Sequence, residues 1–373
     1  MDAGPRQPLV LLCAGGTGGH LFPAEALALA LSKRGVAVAL ATDRRAAHYQ
    51  FPAQSVHLIP SATLRGRNPL ALARTFGTLG IGTIKAWLMI GRLGPDAVVG
   101  FGGYPTVPPL YAATLRGVPT VLHEQNSVMG RANRFLAPRV AAIATGFADV
   151  AKMKPAWRNK AAFTGNPLRP AVLAAAGKPF IGPGDAGMVR LVVFGGSQGA
   201  QVMSRIVPAA VARFDSAVRA RLAVTQQARP EDVEGVRATY ARLAVMAEVA
   251  PFFADLPARL AQAHLIVSRS GASTVAEVAA IGRPAIFVPL PHALDQDQLA
   301  NAGVMERAGG AIRINQADFT PERLAAEIGA LIEAPERLAV MAAASKTAGT
   351  VDAAERLADL VLRVMRRRPP PAG

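Results

Sequence analysis

Three glycine-rich stretches hold the residues best suited to chemistry. The first, "CAGGTGGHLFPA" (Cys13–Ala24), follows the apolar run "PLVLL" and packs four glycines, Thr17 and His20 into six positions. "GFGGYPTVPP" (Gly100–Pro109) and "FGGSQGAQ" (Phe194–Gln201) follow apolar runs of their own. Without a Cβ, glycine lets backbone N–H groups close on an anion, and a helix starting just beyond adds the positive end of its dipole. Phosphate binding is the chemistry such loops suit; a tight turn for packing is the plain alternative. The dinucleotide fingerprint G-x-G-x-x-G is incomplete, because from Gly16 the chain reads "GTGGHL", and Asp43 is weak support for a ribose ligand. No glycine loop carries Gly-Lys-Ser/Thr, which excludes a P-loop. Packing alone does not explain three polar-tipped loops at strand ends. Two diphosphate groups, one on each of two substrates, do.

Such loops need strands and helices in alternation to place them. "LVLLCA" reads as a buried strand, "PAEALALALSKRG" as a helix ending at Gly35, and "VAVALATD" as a second strand. "DAVVGFGG", "PTVLHEQ" and "VAAIATG" are further short apolar runs ending in small or polar residues, the pattern of parallel strands joined by helices. After "TGNPLRP" and a Gly/Pro-rich stretch, Gly177–Gly187, the pattern restarts with "VRLVVFGGSQGAQ", followed by "RLAVTQQ", "AHLIVSRSG" and "PAIFVPLP". The chain thus reads as two α/β halves with first loops 180 residues apart, at Gly15 and Gly195, and a linker near 164–188. Ligands of such sheets bind at the carboxyl ends of the strands, and here also in a cleft between halves. "AAERLADLVLRVM" reads as a closing amphipathic helix, with "RRRPPPAG" as a frayed basic tail.

At 373 residues the chain has room for two cores, and 51% hydrophobic against 18% charged residues excludes disorder. A single cysteine, Cys13, excludes an intramolecular disulfide and fits a reducing compartment. Leu12 is too large before a lipidated cysteine, the N-terminal apolar run is too short for a signal peptide, and no stretch has the length of a membrane span. The net charge of +16 points to an anionic partner: nucleic acid, a membrane surface or a phosphorylated substrate. Low aromatic content and the absence of a zinc-finger or RNP-like pattern weigh against nucleic acid.

"GGTGGH", "GFGGYPTVPP", "HEQNSVMGRANR", "TGNPLR", "FGGSQGAQ", "SRSGASTVAE" and "DQDQLANA" occur in this order. With these seven motifs the chain, from about Leu9 to Met365, closely resembles the MurG family of bacterial transferases. That family moves N-acetylglucosamine (GlcNAc) from UDP-GlcNAc to lipid I, undecaprenyl-diphosphoryl-MurNAc-pentapeptide, giving the peptidoglycan precursor lipid II. The resemblance implies a GT-B fold, two Rossmann-like α/β domains with parallel sheets facing a cleft. It implies an acceptor- and membrane-associating domain over 1–164, with a C-terminal helix at about 350–366 packing back on it, and a UDP-GlcNAc domain over 165–349.

Carried over residue by residue, the resemblance puts Ala272, Ser273 and Thr274 at the donor sugar and uridine, and Glu277 on the ribose hydroxyls. Thr274-x-x-Glu277 is also the pattern of a helix capping box. Ser197 is placed on the donor diphosphate, or is an ordinary N-cap serine. Arg169 is placed on UDP near the hinge, Gln298 on the transferred sugar, and Phe253 loosely near uracil. Asp297 stands where the family often has a polar residue or histidine. Thr17, Gly18 and Gly19 line the cleft, with Asn126 opposite, either bonding the GlcNAc or forming an Asx-turn. An α-linked donor and a β-linked product need one inverting displacement. His20 is then the candidate base for the acceptor C4 hydroxyl, with Glu124 its rival and loop-ordering its plain alternative. No cluster has metal-ligand spacing and no Asp-x-Asp motif occurs, so neither an obligatory metal nor another cofactor is expected.

The run from Arg65 to Arg92 interleaves Leu70, Leu72, Phe76, Leu79, Ile81, Ile84, Trp87 and Leu88 with Arg65, Arg67, Arg74, Lys85 and Arg92. It suits docking on an anionic, cytoplasmic membrane face, with part of the run in the domain core. The expected partners are therefore UDP-GlcNAc, lipid I and that surface, together with other cell-wall synthesis proteins, and no nucleic acid. Competing readings are another UDP-sugar enzyme of the same fold, such as a glycolipid glycosyltransferase or UDP-GlcNAc epimerase, and a nucleic-acid-binding module.

Overall fold

The computed structural model describes residues 6–15, 18–46, 49–62, 68–196, 199–291 and 295–366. Their contacts divide the chain into two units, 1–169 with 352–373, and 170–351.

The first unit is built on seven parallel strands: β1 (Leu9–Cys13), β2 (Ala37–Thr42), β3 (Ser55–Leu58), β4 (Ala97–Gly100), β5 (Thr120–Glu124), β6 (Ala142–Thr145) and β7 (Ala161–Phe163), in the order β3-β2-β1-β4-β5-β6-β7. The five inner strands are buried almost throughout, because helices cover both faces of the sheet. On one face Val10, Leu12 and Val99 pack with Leu27 and Leu31 of the helix Gly18–Ser32 and with Leu357 and Val361 of the helix Ala353–Arg366. The last helix returns to this unit, and Arg34 fixes it through Glu355 (2.7 Å) and Asp359 (2.8 Å). On the other face Leu11, Val98 and Leu122 meet Ala86 and Ile90 of the helix Pro69–Leu93 and Leu110 of the helix Val107–Leu115.

The second unit repeats the plan with six parallel strands: β8 (Val189–Phe194), β9 (Leu222–Gln227), β10 (Met246–Ala250), β11 (Leu265–Ser268), β12 (Ala285–Phe287) and β13 (Ala311–Arg313), ordered β10-β9-β8-β11-β12-β13. In both sheets the first strand lies inside, beside the point where the order reverses. Glycine loops after β1 and β8 therefore sit at a switch point, the usual ligand position in open parallel sheets.

One element differs from expectation in a way that bears on the site. The first helix begins at Gly18, not Pro23, so His20 lies in its first turn. Pro23 lies inside this helix as its sixth residue, and having no N–H it forgoes one intrahelical hydrogen bond there.

Candidate active site

The sequence-derived candidates fall into two groups, one on each unit. In the first unit they gather at the carboxyl ends of β1, β4 and β5. The loops after β1 and β4 press on each other: a Cβ on Gly15 would lie 2.9 Å from Pro105 Cγ. Gly102 and Gly103 hold φ of +82° and +73°, and a Cβ on Gly103 would come within 3.3 Å of His20 Nε2. These glycines are thus needed for fit and conformation, whatever they bind. Gly18 is also a packing position, where a Cβ would meet Phe22 at 2.9 Å, while Gly19 is exposed. Thr17 lies outside the described residues.

His20 is half-buried as a residue, but its Nδ1 is enclosed and has no hydrogen-bond partner among the described residues. Burial holds the imidazole below its usual range, reinforced by Arg45 and opposed by the Phe101 carbonyl, the Gln125 side chain and Asp43. The ring is therefore neutral near pH 7, the form a proton acceptor needs. Asp43 is bound to Arg45 (2.6 Å).

Glu124 is differently placed. It is 2% exposed, and its carboxylate accepts hydrogen bonds from Asn126 N (2.9 Å), Gly130 N (2.9 Å) and Asn133 Nδ2 (2.7 Å). Burial raises its pKa and these donors lower it. Its lone pairs are already committed to the 125–133 segment, which suits holding that segment better than taking a substrate proton. Asn126 is tied to Glu124 through its backbone N–H, with its own amide 3.5 Å from the same oxygen. This is an Asx-like loop whose anchor is the glutamate. His123, buried beside it, lies 3.1 Å through Nε2 from the Gly165 carbonyl, and burial lowers its pKa to about 4. Asn166 joins this network by donating to the Gln125 carbonyl (2.9 Å). Arg169 ends in the first unit, its guanidinium 4.1 Å from the centre of the Phe22 ring.

In the second unit a cavity of about 580 Å³ opens at the carboxyl ends of β8 and β11. It is lined by Gly195, Gly196 and Gly199 of the third glycine loop, by Arg205, Arg229 and Arg269, and by Gly271, Thr274, Leu290, Gln298 and Gln316. Gly196 and Gly199 have φ of +88° and +69°, and a Cβ on Gly195 would strike the Ala200 backbone N at 2.3 Å. Ser197 lies outside the described residues. Two helices start at this cavity, Gln201–Val211 with N-cap Ala200 and Ala272–Ile281 with N-cap Gly271. Neither cap supplies a side-chain acceptor, the place an anion takes at many helix starts.

The start at Ala272 decides the capping-box question: Thr274 is the third residue of the helix, not its cap. Thr274 lines the cavity, Glu277 follows one turn on along the same face and is half-buried, Ala272 is buried, and Ser273 is half-buried. Gln298 lines the cavity while its Oε1 accepts from Leu290 N (3.0 Å) and its carbonyl from Ser270 Oγ (2.8 Å). Phe253 is buried beneath Arg259, ring centre to guanidinium 4.5 Å, and does not line the cavity.

Sequence reasoning missed two residues that hold this site. Gln227 accepts from Gly195 N (3.1 Å) and donates to the Pro251 carbonyl, pinning the third loop. Arg269, buried in the floor, donates to the Val288 and Pro289 carbonyls (3.0 Å each) and to Gln316 Oε1. Its signal was only its place beside "SGAST" at a strand end. Among the described residues no group of three or more His, Cys, Asp or Glu is placed to hold a metal.

Residues 10–145 match the glycosyltransferase family 28 N-terminal domain and residues 190–357 the family 28 C-terminal domain. The chain is 61% identical over 359 residues to the UDP-N-acetylglucosamine–N-acetylmuramyl-(pentapeptide) pyrophosphoryl-undecaprenol N-acetylglucosamine transferase of Rhodopseudomonas palustris, covering 96% of this chain and 98% of that one. It is 60% identical over 361 residues to the protein of the same name from Nitrobacter hamburgensis, with the same coverage. The crystal structure of Acinetobacter baumannii MurG superposes with a TM-score of 0.76 at 28% identity, covering 95% of this chain and 99% of that one. Two doubly wound parallel units, each with a glycine loop after its first strand, are the GT-B fold, and the family 28 matches over both units make the chain a glycosyltransferase of that class. The chain belongs to glycosyltransferase family 28, and within it to the MurG group.

Proposed function

We infer that this chain is an inverting transferase that moves GlcNAc from UDP-GlcNAc to the C4 hydroxyl of MurNAc in lipid I, giving lipid II for peptidoglycan synthesis. The observation that carries the reading is near-full-length identity of about 60% to relatives bearing that transferase name, and not an epimerase name. Transfer of labelled GlcNAc from UDP-GlcNAc to a lipid I analogue tests it; no transfer at any acceptor concentration refutes it.

In this reading the second unit's cavity takes the donor. The third glycine loop and the two uncapped helix starts receive the diphosphate, Thr274 and Gln298 reach the sugar, and Glu277 accepts from the ribose hydroxyls. Ala272, Ser273 and Ser197 belong to the same donor contact, and Arg169, Gly18, Gly19, Thr17 and Asn126 are assigned to donor binding as well. His20 takes the acceptor proton. Its support is a neutral ring in the first turn of a helix, with Nε2 facing Gly103. Glu124 is a positioning residue that shapes the segment carrying Asn126.

The first unit is proposed to dock on an anionic membrane surface through the helix Pro69–Leu93. No helix among the described residues is long and apolar enough to cross a membrane. At 100° per residue, Phe76, Trp87, Ile84, Leu88 and Ile81 share an arc of about 140°, and all five are exposed. Arg74, Lys85 and Arg92 continue the edge of that arc, while Thr75, Ala86 and Ile90 are buried on the opposite side. Arg116 lies over the Trp87 ring, its Cζ 3.7 Å from the ring centroid, adding a cation to the same face. An apolar arc with a basic border matches an interfacial helix. Arg65, Arg67 and the basic tail beyond Arg366 lie outside the described residues.

A further inference from the structure

The donor cavity carries side-chain charge to which the roles above give no task. Arg205, in the second turn of the helix Gln201–Val211, lines the cavity, is exposed, and has no hydrogen bond, ion pair or ring contact among the described residues. Arg229 lines it from the segment after β9, and its stem lies against the third glycine loop: a Cβ on Gly199 would come within 3.2 Å of its Cγ. Its acid neighbour is Glu231, 3.8 Å away, with side chains 40% and 65% exposed, a pair that solvent weakens. No carboxylate lines the cavity among the described residues. Arg269 differs, since its guanidinium is occupied by carbonyl oxygens and Gln316.

We propose that Arg205 and Arg229 bind the diphosphate of the donor and neutralise the departing UDP. This rests on the donor reading above and adds to it the side chains that carry the charge. In the transfer, the acceptor C4 oxygen forms a bond to C1 of GlcNAc while the bond from C1 to the β-phosphate oxygen breaks. The electron pair leaves on that oxygen, and the hydroxyl proton passes to the base. Negative charge grows at the β-phosphate, so a guanidinium beside it binds the transition state more tightly than the ground state. The planar fork also matches two phosphate oxygens at once. To reach a diphosphate, these two side chains give up one weak ion pair between them.

The test titrates the full chain and its Arg205→Gln, Arg229→Gln and double variants with UDP and, separately, with uridine, and measures kcat for GlcNAc transfer at saturating donor. Each single variant is expected to lose about tenfold in UDP affinity, the size of a charge-assisted hydrogen bond removed, and the double variant more. Uridine affinity stays within twofold, kcat falls as well, and Arg205→Lys recovers part of the UDP affinity. UDP affinity within twofold of the unmodified chain in the double variant overturns the proposal. Equal losses for UDP and uridine also overturn it, since they assign the arginines to the nucleoside or the fold. An unmodified chain that binds neither UDP nor UDP-GlcNAc overturns the donor reading itself, a result seen before any variant is compared.

Discussion

Glu124→Gln separates a base from a loop anchor. Oε1 of Glu124 serves Asn126 N and Oε2 serves Gly130 N and Asn133 Nδ2. Glutamine keeps one of these acceptors and turns the other into a donor. The least costly arrangement aims the new NH2 at Asn133, whose Oδ1 is buried without a partner among the described residues, and rotates that amide to accept. Gly130 N is then stranded. One buried donor left unmet costs about 1–3 kcal/mol, so the first unit's melting temperature falls by roughly 2–12 °C for a unit of its size. Glu124→Ala strands both backbone donors and Asn133, and costs more. The assay is thermal unfolding followed in the first unit, with the pH profile of kcat for each variant. An anchor predicts lowered stability, lowered kcat and an acid limb still set by His20. Unaltered melting with a 10²–10⁴-fold loss of kcat and no acid limb would identify Glu124 as the base and refute the reasoning.

His20→Ala is expected to cut turnover about 10²–10⁴-fold with UDP affinity near that of the unmodified chain; near-normal turnover returns the role to Glu124 or to water. Because burial lowers its pKa, the acid limb of kcat in the unmodified chain should lie below 6.5. His123 gives a stability prediction of definite sign. Its folded pKa of about 4 is below the 6.5 of the unfolded state, so the unfolded chain binds the proton first. The stability it contributes is present above 6.5 and lost as pH falls to about 4, by about 3 kcal/mol. Denaturant titrations across that window should show the loss and His123→Gln should reduce it; an unchanged slope contradicts the assignment. Glu277→Ala should weaken donor binding by about 1–3 kcal/mol and leave melting unaltered, whereas lowered melting with normal donor affinity would make it structural. Binding to anionic vesicles should weaken with salt, down to an apolar remainder. Reversing Arg67, Arg74 and Lys85 should lower vesicle binding and activity on embedded acceptor while sparing a short-chain soluble acceptor, and equal loss of both activities places the docking surface elsewhere.

The nine strands legible in the sequence are the nine interior ones. β3, β7, β10 and β13, which read as nothing, are the four edges of the two sheets. An inner parallel strand is covered on both faces and must be apolar throughout, as "LVLLC" and "LIVS" are. An edge strand has open sides, and "SVHL", "MAEVA" and "AIR" are accordingly mixed and partly exposed. Their pairing comes from a neighbour already in place, which no local pattern encodes. The helix Pro69–Leu93 was ambiguous for a related reason: its composition is apolar on two sides, and the close approach of Gly82 to Pro60 and Pro108 on the buried side involves residues distant in sequence.

The candidate site divides along the same line. Residues that would touch a ligand were legible because glycine loops and a histidine at a strand end are unusual local chemistry. Residues that hold those loops were not, because Gln227 and Arg269 act across distances in sequence that their own surroundings do not reveal. Glu124 and Thr274 lie between. Each belongs to a motif whose residue types allow two roles, and in each case the phase of a neighbouring element narrows the choice. With the N-cap at Gly271, a glycine that offers no side chain, Thr274 is the third residue of the helix and not its cap. With Asn126, Gly130 and Asn133 folded around it, Glu124 already accepts three hydrogen bonds of 2.7–2.9 Å, which supports the anchor reading. A base for the acceptor must be neutral near pH 7 and still within reach of a substrate. Of the two histidines in the first unit's loop network, His20 is half-buried at the start of its helix, whereas His123 is fully buried with Nε2 engaged by the Gly165 carbonyl, which is the ground for proposing His20.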